Sequence, residues 1–164
     1  MCEQSEAHCR DSNSAGIAGR AGYYEIFLRY SWRFSLLTGH PEDAIPDLRE
    51  AIARGPTSGI RRKAASILGS YYLGRTKEYD RAAEVFRRLA HGQVDGRYSR
   101  FGLGMLYRVA RQSGSREVFE QCLSAAEFVL REGRVDGMSE QGISEIEGLR
   151  DRLKARLAES RDGT

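Results

Sequence analysis

Three histidines (His8, His40, His91) and three cysteines (Cys2, Cys9, Cys122) are the residues of this chain with metal-ligand or nucleophile chemistry. A zinc site or a Cys-His couple needs such residues at short, recurring spacings. No Cys-x-x-Cys pair occurs, and each histidine stands apart from any ligand cluster, so no metal, cofactor or catalytic residue is expected. His40 precedes an expected helix and His91 ends one, where positive charge is favourable beside the exposed carbonyls. Gly102-Leu103-Gly104 and Gly114-Ser115 lack the Gly-Lys-Ser/Thr that cradles a phosphate. Carboxylates are plentiful, but they fall on faces expected to be solvated, and none forms an evident acid/base couple. These residues point away from an enzyme.

The composition bounds the rest. A chain of 164 residues, 40% hydrophobic and 30% charged, is long enough for one folded unit with a sizeable core. Its net charge of +3 is too mild to imply nucleic acid, because 23 acidic residues nearly balance 26 basic ones. Arg61-Arg62-Lys63, Arg87-Arg88, Arg97 and Arg100 are accounted for as a solvated face. The odd cysteine count implies reduced thiols, and Cys122 falls on an apolar helical face as a small core residue. No segment approaches the roughly 20 apolar residues of a membrane span, so a cytoplasmic protein is expected. The alternative is a lipoprotein whose signal has been removed, anchored through Cys2.

The elements that must position any binding surface follow from periodicity. Residues 1–14 are polar and aperiodic, which predicts a mobile tail before a helical domain over 15–160. Tyr23, Ile26, Phe27, Tyr30, Phe34 and Leu37 recur at three- and four-residue steps, predicting a first helix that ends at Gly39. Pro41 suits the first turn of the next helix, whereas Pro46 predicts a kink in its interior. Gly55-Pro56 ends that helix, and Thr57 or Ser58 caps another running to a break at Gly74–Lys77. Further helices are expected at Glu78–His91, Arg97–Arg111 and Arg116–Glu132, with turns at Gly92–Gly96, Ser113–Ser115 and Gly133–Gly137. Ser139 caps a last helix carrying Ile143, Ile146, Leu149, Leu153 and Leu157 on one face and a dense set of charges on the other.

Two patterns repeat within this series. Ala44, Leu48 and Ala51 are matched 38 residues later by Ala82, Phe86 and Leu89, each triplet on one helical face. Leu68-Gly69-Ser70-Tyr71-Tyr72 and Leu103-Gly104-Met105-Leu106-Tyr107 both read Leu-Gly-x-x-Tyr, with Tyr30-Ser31-Trp32-Arg33-Phe34 as a weaker counterpart. With Pro56 closing the first unit, residues 25–132 resemble the tetratricopeptide repeat (TPR) family. The resemblance implies an all-α, right-handed α-solenoid of about three helical hairpins with a C-terminal capping helix. In it, the small residue of each motif permits close helix approach. The steps depart from the usual one of about 34 residues, and the third hairpin is the least regular.

The resemblance further implies a concave groove lined by the first helix of each hairpin. Carried onto this chain, its lining is Leu28, Trp32, Lys63, Ser66, Ser70, Tyr98, Phe101, Met105 and Arg108. The groove would hold a segment of a partner protein, with the chain acting as an adaptor, scaffold or chaperone-like module. Leu28, Trp32, Ile67, Tyr98 and Gly102 stand where the clamp for chaperone C-terminal peptides would lie, so that ligand is not expected. Trp32 and Phe101 have a second possible role in core or dimer contacts. The functional alternative is accordingly a self-associating subunit of a larger assembly, a homo-oligomer.

Overall fold

A computed structural model describes residues 40–162. Six α-helices account for most of them, and no strand occurs among the described residues. The first helix expected from the sequence, with Leu28 and Trp32, lies outside the described residues. The chain divides into two compact units, Met1–Ala64 and Ala65–Thr164.

In the first unit, a single 3-10 turn, Pro41–Ala44, leads into α1 (Ile45–Arg54). The Ile45 N–H donates to the Glu42 carbonyl, and Pro46 falls in the first turn of α1 rather than inside a longer helix. The predicted kink is therefore a helix start. A first-turn residue has no intrahelical acceptor for its N–H, so proline forfeits nothing there. Leu48 and Ala51 are fully buried, as their spacing implied. At the far end the Gly55 N–H closes on the Ala51 carbonyl at 3.0 Å. Arg61 reaches back to donate to the Gly55 carbonyl at 2.6 Å, satisfying an acceptor that the helix end leaves open. Thr57 caps α2 (Ser58–Tyr71), its hydroxyl accepting from the Ile60 N–H at 3.2 Å.

In the second unit, α2 ends in a widened π turn, Tyr72–Thr76, where the break was expected. Tyr71, Tyr72 and Leu73 are all buried there, three successive residues that a regular helix would spread around its circumference. Lys77 then adopts a left-handed conformation, φ 55°, and the Glu78 N–H returns to the Tyr72 carbonyl at 2.9 Å. Next come α3 (Tyr79–Ala90), α4 (Arg100–Ser113), α5 (Arg116–Val135) and α6 (Glu140–Asp162). Each packs on the next, and α3 also reaches α5. Ala82, Phe86 and Leu89 are buried, and Phe86 lies over Gly69, where an added Cβ would sit 2.6 Å from the ring. The first Leu-Gly motif thus works as a close-approach site.

The second does not. Gly104 is exposed, with nothing within 4 Å of a Cβ built on it. Gly102 makes the close approach instead: its Cβ would lie 2.7 Å from the Ala90 backbone nitrogen. Both glycines satisfy the local pattern, and only the placement of α3 separates them. The start of α4 also moves, from Arg97 to Arg100, because the buried Ser99 hydroxyl accepts from the Gly102 N–H at 3.1 Å. α4 ends at Gly114, whose φ of 65° reverses the chain. α5 continues to Val135, so the turn expected from Gly133 begins only at Asp136. Ser139 caps α6 as expected, its hydroxyl accepting from the Gly142 N–H at 3.2 Å. The Met138 side chain fills the corner between α5 and α6. A Cβ on Gly133 would collide with its Cε, and one on Gly142 would lie 3.0 Å from its Cγ. Ile146 and Leu153 bury the inner face of α6, while Leu149 and Leu157 are half-buried.

Candidate functional site

Two depressions between α4 and α6 and a third that adjoins them on α4 form a trough, all three bordered by Tyr107. The first, about 500 Å³, has Phe101, Gly104 and Tyr107 on one wall, Leu149 and Arg152 on the other, and Leu103 with Ile146 beneath. Arg100 and Glu145 span it with a 2.6 Å ion pair. The second, about 420 Å³, adds Phe119, Leu153 and Arg156. The third, about 330 Å³, is bordered by Arg108, Arg111 and Gln112. Helical spacing explains the assembly: Phe101, Gly104, Arg108 and Arg111 follow three- and four-residue steps on α4, as do Glu145, Leu149, Arg152 and Arg156 on α6.

Phe101 is 53% exposed, so it is not a core residue. Its ring meets the buried Phe86 edge-on, with centroids 6.5 Å apart, which fixes its position at the trough's end. Of the residues expected to line a groove, the trough brings together Phe101 and Arg108. Ser66, Ser70, Tyr98 and Met105 border none of its three depressions. Ser70 is exposed, and Ser66, Tyr98 and Met105 are half-buried. Lys63 is exposed in the first unit, and Leu28 and Trp32 lie outside the described residues. Sequence reasoning missed Tyr107, Arg111, Leu149 and Arg152. It placed Tyr107 only as the aromatic of a repeat motif, Leu149 on the apolar face of the capping helix and Arg152 on its charged face. The Tyr107-Arg108 and Arg111 spacing was the available signal on α4; nothing local linked it to α6.

A polar depression of about 500 Å³ elsewhere is bordered by Glu84, Arg87, His91, Gln93, Gln121 and Ser124. His91 packs on Phe128 at 4.8 Å between centroids. Partial burial, then the charges of Arg87 and Arg131, hold its pKa below the ordinary histidine value. Burial and the two neighbouring cations thus favour the neutral imidazole at this helix end. Burial pushes the Cys122 thiol up to about 12, consistent with a small core residue. Among the described residues no three His, Cys, Asp or Glu side chains converge as a metal site, and no helix is long and apolar enough to cross a membrane.

These features define an all-α protein with an open trough between two helices. No protein-family model matches the chain, and no curated protein or solved structure matches it significantly.

Proposed function

We propose that this protein is a TPR-like binding module, a right-handed α-solenoid of about three hairpins capped by α6, that holds a segment of a partner protein as an adaptor or scaffold in the cytoplasm. Phe101 carries the proposal: a large aromatic held 53% exposed at the end of a trough floored by Leu103 and Ile146. Exposed aromatics anchored at the edge of a concave apolar surface are the side chains that concentrate binding energy in protein interfaces. The matched Ala44/Leu48/Ala51 and Ala82/Phe86/Leu89 triplets, all buried, support the repeat character.

The test is a photo-crosslink from the trough. Phe101→p-benzoylphenylalanine keeps an aromatic at the site, and irradiation in cells of the source organism should yield an adduct with a second protein. A control with the photophore at exposed Glu127 should not yield it. An adduct formed only with another copy of the chain would replace the adaptor reading with self-association. No adduct from Phe101, or the same adduct from Phe101 and from the control position, would remove the trough as the binding surface.

A further inference from the structure

We infer that the α4–α6 trough takes an acidic segment of a partner protein, its carboxylates held by Arg108, Arg111 and Arg152 around the Tyr107 ring. This rests on the trough being the binding surface and adds the chemistry of what it binds.

Five arginines border the trough, against two carboxylates. Glu145 is occupied by Arg100 at 2.6 Å, and Glu159 lies 3.6 Å from Arg156. Arg108, Arg111 and Arg152 are exposed and have no carboxylate partner among the described residues. Elsewhere in the same unit Arg87, Arg116 and Arg134 each sit on a glutamate, at 2.7, 3.0 and 2.6 Å, while Arg75, Arg88 and Arg97 are exposed at scattered positions. Five arginines against two glutamates leave the border of the trough with an excess of three positive charges.

Such a gathering is unfavourable in the free protein, since Arg108 and Arg111 are like charges one turn apart on α4. An incoming carboxylate relieves it. Guanidinium groups bind carboxylates in a planar, two-point fashion, and Leu103, Ile146 and Leu153 give the depressions that Arg111 and Arg152 border an apolar floor. Phe101, Tyr107 and Phe119 supply apolar anchoring beside the charges. The segment that fits is thus acidic with interspersed apolar or aromatic residues. Nucleic acid fits less well: a phosphate backbone needs cations along a continuous track. Here Glu145 and Glu159 stand at the borders of the trough and interrupt any such track.

Fluorescence anisotropy on the full chain tests this with labelled peptides of equal length. All share a Phe-x-x-Leu anchor and carry Glu, Gln or Lys at the other positions; an oligo-uridine of matched charge is the fourth probe. The Glu peptide should bind at least about tenfold tighter than the Gln peptide, the ratio corresponding to one charge-assisted contact. Arg108→Ser/Arg111→Ser/Arg152→Ser should abolish that preference, so that the Glu and Gln peptides bind the variant equally. These side chains are exposed, so the variant should keep its helical circular dichroism. The triple charge reversal to Glu should prefer the Lys peptide. Equal binding of the Glu and Gln peptides, both weakened by Phe101→Ala, overturns the acidic preference and leaves the trough as binding surface. Absence of peptide binding, or binding indifferent to Phe101→Ala, overturns both. Tighter binding of oligo-uridine than of the Glu peptide, lost in the Arg→Ser variant, assigns the arginines to nucleic acid instead.

Discussion

Gly102 and Gly104 show how much a single position depends on what stands opposite it. Both are helical glycines of α4, two residues apart, yet one abuts the backbone of Ala90 and the other faces open space. Alanine carries the better helix propensity by about 1 kcal/mol. Gly104→Ala is therefore expected to stabilise the protein by about 0.5–1 kcal/mol in urea unfolding. Gly102→Ala should destabilise it by about 1–3 kcal/mol, because α3 must move away to admit a methyl group. If both substitutions stabilise, the close approach of α3 and α4 is wrong. The Leu-Gly-x-x-Tyr pattern alone marked Gly104 as the contact residue. It erred because the sequence records which residues are small and not which backbone they meet. His91 is a comparable case at the same scale. Its place at a helix end was readable, but the downward pKa shift depends on its burial, then on Arg87 and on Arg131, which lies two helices away.

At the scale of elements, beginnings were set by side chains that the sequence displays only ambiguously. Pro46 was readable as an irregularity, and its physical resolution is a 3-10 turn handing over to α1. Thr57 and Ser139 were recognised as caps; Ser99 was not, because Arg97-Tyr98 before it continue an apolar periodicity that looks helical. The two serine caps of the second unit differ in burial, Ser99 being 1% exposed and Ser139 open to solvent. Ser99→Ala leaves the Gly102 N–H without its acceptor where water has little access, and should cost about 1–2 kcal/mol. Ser139→Ala, with water to replace the hydroxyl, should cost about 0.5 kcal/mol. Denaturant midpoints of the two variants measure the difference, and Ser99→Thr should recover most of the loss.

At the scale of the whole molecule, the all-helical class and most of the buried positions were readable, because amphipathic spacing states directly which face leaves water. The trough was readable only in part. Phe101 and Arg108 stand on one helix, but Arg152 comes from more than forty residues along the chain. Whether it joins them depends on how α5 brings α6 alongside α4. That junction has its own chemistry. Met138 occupies the corner between α5 and α6, its side chain lying against the glycines at 133 and 142. Oxidation of its sulfur adds a polar oxygen and makes the group chiral and hydrated, which disfavours its packing against the two glycines. Peroxide treatment should therefore lower the unfolding midpoint in step with the Met138 sulfoxide fraction found by mass spectrometry. A Met138→Leu chain should keep its midpoint under the same treatment. The wall of the trough would then depend on the redox history of one thioether that never touches what the trough binds.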